Sequence, residues 1–284
     1  MKTIKLLFAI AFLAMVFTSC TDENDDPITI TENPLEEFNL LTSIDANNHI
    51  IEVYSEQNQY TIGYNELFYR IKDQGTASYV SNAEIKLTPV MHMVSMMHSC
   101  PKSAIVKTED ASVYKGYSIF QMPGNADEYW EFNFEYTING QTYEASERVA
   151  VDAPTDGKKR VSSFMGADDK RYIIAMMPIE PEVKVNDFSA MVFTMKNMMQ
   201  FPLVENYTIL IDPRMPGMGN HSSPNNEHLN FDAATGMYTG KLSLTMTGYW
   251  KINLKLMSAA DEVLKGEDVT DENEGSSLYF ELEF

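Results

Sequence analysis

Methionine and histidine residues are concentrated in two short segments of this 284-residue chain. Segment 91–100 reads MHMVSMMHSC and segment 215–221 reads MPGMGNH, and His228 follows the second. Four of the five histidines therefore lie in or just after these segments. Thioether sulfur is a soft ligand that selects Cu(I), whereas imidazole binds both Cu(I) and Cu(II). The two segments therefore predict a copper site, with copper held as Cu(I).

The predicted ligands add one methionine from each half of the chain to these segments. Met122 and Met246 each precede a turn that leads to a tryptophan. Zinc fits less well, because its structural sites use Cys and His at closed spacing. A thioether also resists the disulfide formation expected of paired cysteines outside the cytoplasm. The predicted metal ligands are Met91, Met93, Met96, His98, Cys100, Met122, Met215, Met218, His221 and Met246.

Core packing is the alternative role for these methionines, because Met also fills gaps in hydrophobic cores. Met91 and Met93 continue the inward phase of Ile85 and Leu87, which favours that role for both. His49, beside two asparagines, is interpreted as a surface residue. Seven further methionines on apparent strands are interpreted as packing residues: Met176, Met177, Met191, Met195, Met198, Met199 and Met257.

The chain matches itself at a spacing of about 124 residues, which indicates two tandem copies of one unit. From the Trp of each copy onward the offset is 120, so the first copy carries about four extra residues near 123–125. The matching patterns are I-x-[LI]-x-P-x-M at 85 and 209, Y-x-G at 114 and 238, H-S-[CS]-P at 98 and 221, and W-x-[FI]-N at 130 and 250.

Apolar residues alternate with a period close to two in both copies, and no stretch sustains a helical stripe. We therefore predict an all-β protein of two tandem Ig-like antiparallel β-sandwiches. The polar segment 153–160 contains Pro and Gly and is predicted to be a linker that few contacts cross. The predicted domains are 38–152 and 161–284, with Trp130 and Trp250 as core anchors.

The N-terminus has the pattern of a signal peptide over residues 1–19. Lys2 and Lys5 precede an apolar run, 6–17, that is too short to span a bilayer. The small residues before Cys20 resemble a bacterial lipobox, and this resemblance implies that Cys20 is lipidated. Residues 20–37 are predicted to be an acidic tether, similar to the export signal of Bacteroidota surface lipoproteins. We therefore expect an outer-membrane lipoprotein facing the periplasm or the cell surface.

Charge and motif content exclude several functional classes. A formal net charge of −20 would repel nucleic acid. Two cysteines are too few for a disulfide-dense scaffold. The chain contains no G-x-S-x-G elbow, H-E-x-x-H helix or phosphate-binding Gly loop, and we predict that it is not an enzyme.

The second copy resembles the YtkA-like and FixH-like domains. P-G-M-G-x-H at 216–221, Y-x-G at 238–240 and M-x-G-x-W at 246–250 carry this resemblance. Those families are similar to CopC-type copper-binding sandwiches, which implies copper handling or delivery with a copper-donor or copper-acceptor protein as partner. The first copy departs from the pattern, with V-M-H-M at 90–93 in place of M-P-G-M. The alternative is a surface-exposed tandem Ig-like module that binds a protein or a glycan and uses Met only for packing.

Overall fold

The computed structural model describes residues 33–284, and their regular secondary structure is almost entirely β-strand, which confirms the predicted all-β class. Within this range the one helical element is a 3-10 turn, η1 (Pro216–Met218). No helix among residues 33–284 is long and apolar enough to cross a membrane. The predicted signal peptide, Cys20 and the tether as far as residue 32 lie outside the described residues.

Eleven strands in the first half of the chain form what we call the first sandwich. One sheet has the order β1-β2-β4-β8-β7 and the facing sheet the order β10-β9-β5-β6, while β3 and β11 form a short parallel pair. A single apolar core, which includes Leu67 from one sheet and Phe132 from the other, fills the space between them. The strands are β1 (Asn39–Ala46), β2 (His49–Ser55), β3 (Tyr60–Thr61), β4 (Gly63–Asp73), β5 (Ala83–His92), β6 (Met97–His98), β7 (Val106–Lys107), β8 (Tyr114–Phe120), β9 (Tyr129–Ile138), β10 (Gln141–Val149) and β11 (Val151–Asp152).

The second sandwich has the same plan, but its strands form one continuous hydrogen-bonded network. The order is β12-β13-β14-β18-β17-β15-β19-β20, with β16 paired to β15 and β21 to β19. Strand β17 pairs with both β18 and β15, and an irregular register between Glu227 and Asn230 accompanies this double pairing. The strands are β12 (Val161–Met165), β13 (Arg171–Met176), β14 (Val185–Thr194), β15 (Thr208–Met215), β16 (His221–Ser222), β17 (Glu227–Asp232), β18 (Met237–Ser243), β19 (Tyr249–Met257), β20 (Val263–Lys265) and β21 (Leu278–Glu283).

Strand pairing places the residues of the internal repeat at equivalent positions. Pro89 lies opposite Phe132 in the first sandwich, and Pro213 lies opposite Ile252 in the second. These two pairs are offset by 124 and 120 residues, as the sequence match requires. The change of offset falls in the connection between β8 and β9, where the extra residues were expected.

In both sandwiches the Tyr of the repeated Tyr-x-Gly motif makes the same kind of contact, in which its hydroxyl bonds two backbone groups. The hydroxyl of Tyr114 donates to Val80 O and accepts from Ala83 N, at 3.3 and 2.8 Å. The hydroxyl of Tyr238 donates to Val204 O at 2.8 Å and accepts from the backbone N–H of Tyr207 at 3.4 Å. In the second sandwich the Gly is required, because a Cβ on Gly240 would lie 2.6 Å from a carbonyl oxygen of β17.

Removing either hydroxyl is expected to destabilise the protein. Tyr114→Phe and Tyr238→Phe each leave a buried backbone N–H and C=O without their partner, at a cost of about 1–3 kcal/mol in the free energy of unfolding. Urea-induced unfolding of each variant, compared with the parent protein, measures this change. An unchanged midpoint in both variants would show that these bonds contribute nothing to stability.

The two sandwiches pack directly against each other, so the prediction that few contacts cross between them is wrong. Ile119 of β8 belongs to the same apolar cluster as Ile173 of β13 and Phe193 of β14. Strand β13 is buried on both of its faces for this reason. The end of the predicted linker is also bound, since Lys159 O accepts from Glu281 N at 2.9 Å.

The compact body of the protein begins before the predicted end of the tether. Leu35, which the sequence places in the tether, is buried against Tyr54 and Val113. The compact unit extends from Pro34 to Phe284. Apolar contact by one leucine therefore adds residues 34–37 to the folded part of the chain.

Candidate metal centre

Predicted ligands of the first sandwich surround Trp130 at one end of the core. Met91 lies directly opposite His98 on one side and Trp130 on the other, in the strand order β6-β5-β9. Directly opposed residues share a face of the sheet, and here Met91 and Trp130 are fully buried, so this is the core face. Met93 and Met122 pack against the same core. The structure thus brings four of the predicted ligands to one end of the sandwich.

Two contacts fix the arrangement around Trp130. The indole N–H of Trp130 donates to Met122 O at 3.0 Å, which holds the β8–β9 connection beside β5. The His98 ring meets the Trp130 ring edge-on, with 5.5 Å between the ring centroids. His98 is therefore anchored beside the buried tryptophan, although it lies in a two-residue strand at the edge of the sheet.

The tautomer of His98 follows from its hydrogen bond. Nδ1 lies 2.7 Å from Ser99 O. A carbonyl oxygen can only accept, so Nδ1 carries the proton and the neutral ring keeps its lone pair on Nε2. Metal-binding histidines are oriented by this kind of bond, in which the other ring nitrogen donates to a backbone carbonyl. In the neutral ring of His98, Nε2 is thus the nitrogen that keeps a free lone pair.

The second sandwich repeats the framework with a more open loop. Met215 lies opposite His221, as Met91 lies opposite His98. The indole N–H of Trp250 donates to Met246 O at 3.0 Å, and Met246 packs against the core that contains Met215. Met218 is 58% exposed and His221 is also exposed.

The 3-10 turn shapes this second loop. It ends at Gly219, whose φ of 66° is in the left-handed region, and Asn220 continues in the same region at 58°. Asn220 also donates to Glu274 O at 3.1 Å. These constraints direct the chain back into β16, where His221 pairs with Met215. Met218 and His221 are consequently accessible from solvent, whereas Met215 is not.

The structure argues against two of the predicted ligands in the first segment. Met96 is in the turn between β5 and β6 and is 46% exposed, away from the buried Met91. Cys100 is buried in the core, and this burial raises the pKa of its thiol to about 12. In the metal-free protein the thiol is thus protonated, and a metal would reach it only by entering the core. The proposed site therefore does not include Cys100.

Burial also predicts the reactivity of Cys100. At pH 8, well below its raised pKa, the thiol stays protonated and inaccessible, so iodoacetamide is expected to leave it unmodified in the native protein. Full modification is expected after unfolding in urea. Peptide mapping by mass spectrometry would measure both, and rapid native modification would show that the thiol is exposed.

Two further interpretations from the sequence, of His49 and of Met198 with Met199, are corrected by the structure, which also shows the bond made by His228. His49 is buried, not on the surface, and its Nδ1 lies 3.2 Å from the Tyr136 hydroxyl. His228 accepts the backbone N–H of Ile211 on Nδ1, so in the neutral ring its remaining nitrogen carries the proton and cannot bind a metal. Met198 and Met199 are 45% and 44% exposed and are not packing residues.

His92 is a residue that the sequence leaves without a role. It lies on the outer face of β5, stacked on Tyr129 at 4.8 Å, with Nε2 3.1 Å from a Glu131 carboxylate oxygen.

Among residues 33–284, no group of three or more His, Cys, Asp or Glu side chains is placed to hold a metal ion.

No protein-family model and no curated protein matches the chain. Among solved structures, it is similar to FdeC, an Escherichia coli adhesin, at 12% identity and a TM-score of 0.26, covering 78% of this chain and 64% of that chain. It is also similar to a DUF4785 family protein from Legionella pneumophila, at 9% identity and a TM-score of 0.25, covering 76% and 55%. The chain thus spans less than two thirds of either protein, and at these TM-scores neither likeness assigns a function.

Proposed function

We propose that the protein is a lipid-anchored, extracytoplasmic copper-binding protein that holds Cu(I) at one end of each sandwich. The observation that carries the proposal is a repeated arrangement. In both sandwiches a buried methionine lies opposite a histidine, and a tryptophan N–H holds the carbonyl of another methionine beside them. The ligands proposed for the first site are His98, Met91, Met93 and Met122, and those for the second site are His221, Met215, Met218 and Met246.

The donor chemistry suits Cu(I) in particular. Thioether sulfur and neutral imidazole are soft or borderline ligands, and neither adds charge to the site. A thioether needs no deprotonation, so it binds the metal even where burial would suppress a thiolate. We infer that these groups bind Cu(I) more strongly than harder divalent ions.

The two proposed sites differ in their exposure to solvent, which suggests that they have different roles. His98 is fixed by its bond to Ser99 O and by its ring contact with Trp130, which favours tight holding. Met218 and His221 are exposed, so a copper-donor or copper-acceptor protein could reach them. We propose copper handling or delivery at the outer membrane as the role of the protein, with no catalytic step.

A titration with Cu(I) tests the proposal. The purified protein is mixed with Cu(I) in the presence of a coloured Cu(I) chelator, and we expect it to retain one copper ion per intact site. Retention of less than one copper ion per protein at micromolar chelator would reject the proposal. That outcome would favour the alternative in which the sandwiches bind a protein or glycan and the methionines only pack.

A matched pair of variants separates coordination from packing in the same titration. Met91→Leu removes the sulfur and nearly conserves the volume, so it costs less than about 1.5 kcal/mol of stability. Leu87→Met changes another buried side chain of β5 without removing a proposed ligand. We expect weaker copper binding in the first variant alone. Equal binding by both variants would assign Met91 to the core.

A further inference from the structure

The edge strand of the first metal site lies against a methionine-containing turn of the second sandwich. Ser99 N–H donates to Met198 O at 2.8 Å. Ser99 directly follows His98, the best-fixed ligand of the first site. The second sandwich therefore places a thioether-bearing residue beside the first site, although these residues are about 100 positions apart in the sequence.

The turn that carries Met198 is held in a defined shape. Met199 N–H donates to the Asn197 side-chain oxygen at 2.9 Å, and the Asn197 amide donates to Gln200 Oε1 at 3.0 Å. Lys196 N–H donates to Gln200 O at 3.0 Å. Residues 197–200 thus form a closed turn with Met198 and Met199 at its tip.

The two methionines at the tip lie beside different residues of the segment that follows β6. Met199 lines a surface cleft of about 450 Å³ together with Cys100 and Lys102, which follow Ser99 in the chain. The backbone bond places Met198 level with Ser99, one residue from His98. Of the two, Met198 is therefore the one whose backbone adjoins the segment that carries His98.

Two methionines at this junction are accessible from solvent. Met198 is 45% exposed and Met97, next to His98, is 56% exposed. Core packing therefore does not lock either side chain in one position. A methionine has three rotatable bonds and can swing its sulfur toward a bound ion.

We propose that Met198 supplies a thioether ligand from the second sandwich to the copper held by His98. This inference rests on the proposed copper function and adds that the first site is complete only when the two sandwiches are packed together. Copper bound there connects the sandwiches through a metal bond as well as through their shared apolar cluster.

The test uses the full protein with its second site disabled by Met218→Leu and His221→Asn. In that background, Met198→Leu keeps the backbone bond to Ser99 and removes only the sulfur, and Met199→Leu is the matched control. We expect Met198→Leu to weaken Cu(I) binding by about tenfold or more, the scale of loss seen when a group that supports a metal site is removed. The control is expected to bind as its parent does.

The outcomes separate this inference from the proposed function. If the parent background binds Cu(I) and Met198→Leu binds it equally well, the inter-sandwich ligand is rejected and the copper function stands. If the parent background and the unmodified protein both fail to bind Cu(I), both proposals are rejected. Peroxide oxidation gives a second readout: Cu(I) is expected to protect Met198 from sulfoxide formation but not the equally exposed Met165, and equal oxidation of Met198 with and without copper would also overturn the inference.

Discussion

The His98→Asn variant is expected to lose Cu(I) affinity at the first site by about ten- to a hundredfold or more, a loss typical of altered metal sites. Asn removes the imidazole Nε2 and is small enough to leave the edge strand in place. The other two imidazoles of the first sandwich are held elsewhere, His49 against the Tyr136 hydroxyl and His92 against the Tyr129 ring. Competition titration against a Cu(I) chelator measures the change.

His92→Asn is the matched control for this prediction. His92 is in the neighbouring strand of the same hairpin, but its ring lies on the outer face against Tyr129 and Glu131. Its loss should leave Cu(I) affinity unchanged. If His92→Asn weakens copper binding as much as His98→Asn does, the metal lies on the outer face of the sheet and the proposed site is wrong.

The Trp130→Ala variant is expected to lose about 3–5 kcal/mol of unfolding free energy, the usual cost of removing a fully buried large aromatic side chain. Trp130 is 0% exposed and stacks edge-on with Phe120 at 4.9 Å. The substitution also leaves Met122 O without the indole N–H that it accepts. Both losses act on the end of the core where the metal ligands lie.

Trp250→Ala is the internal comparison, because Trp250 is also 0% exposed and its indole N–H donates to Met246 O. Chemical unfolding followed by circular dichroism should show a similar loss in both variants. A loss below about 1 kcal/mol in either one would mean that its cavity collapses without cost, contrary to the usual behaviour of close-packed cores. Such a result would remove the tryptophan from the framework of that site.

The fold could be predicted from the sequence because its signals are local and repeated. Alternating apolar residues such as Ile85 and Leu87 define strands, and the internal repeat aligns Pro89 with Pro213 and Trp130 with Trp250. Strand pairing at equivalent positions then follows from the register. The packing of the two sandwiches could not be predicted, because it depends on which faces of β8 and β13 meet. The polar composition of segment 153–160 predicted few contacts between the sandwiches, whereas the structure shows that they pack together.

The candidate site could be predicted only in part. The residues that bear thioether and imidazole groups are visible in the sequence, and strand phase correctly indicates that Met91 points inward. Hydrogen bonding was not predictable from the sequence. It is the reason that His228 links β17 to β15, and that Nε2 of His98 keeps its lone pair. The position of Met198 beside Ser99 depends on a contact between two sandwiches, for which the sequence carries no local signal.

X-ray absorption at the copper edge, on protein grown with selenomethionine and loaded with Cu(I), tests the central claim most directly. Selenium marks every methionine and no cysteine, so scattering from selenium bound to copper identifies thioether coordination without ambiguity. We predict that the copper spectrum contains both selenium and imidazole nitrogen neighbours. A spectrum with nitrogen and oxygen neighbours but no selenium would contradict the proposal that these sandwiches bind copper through methionine.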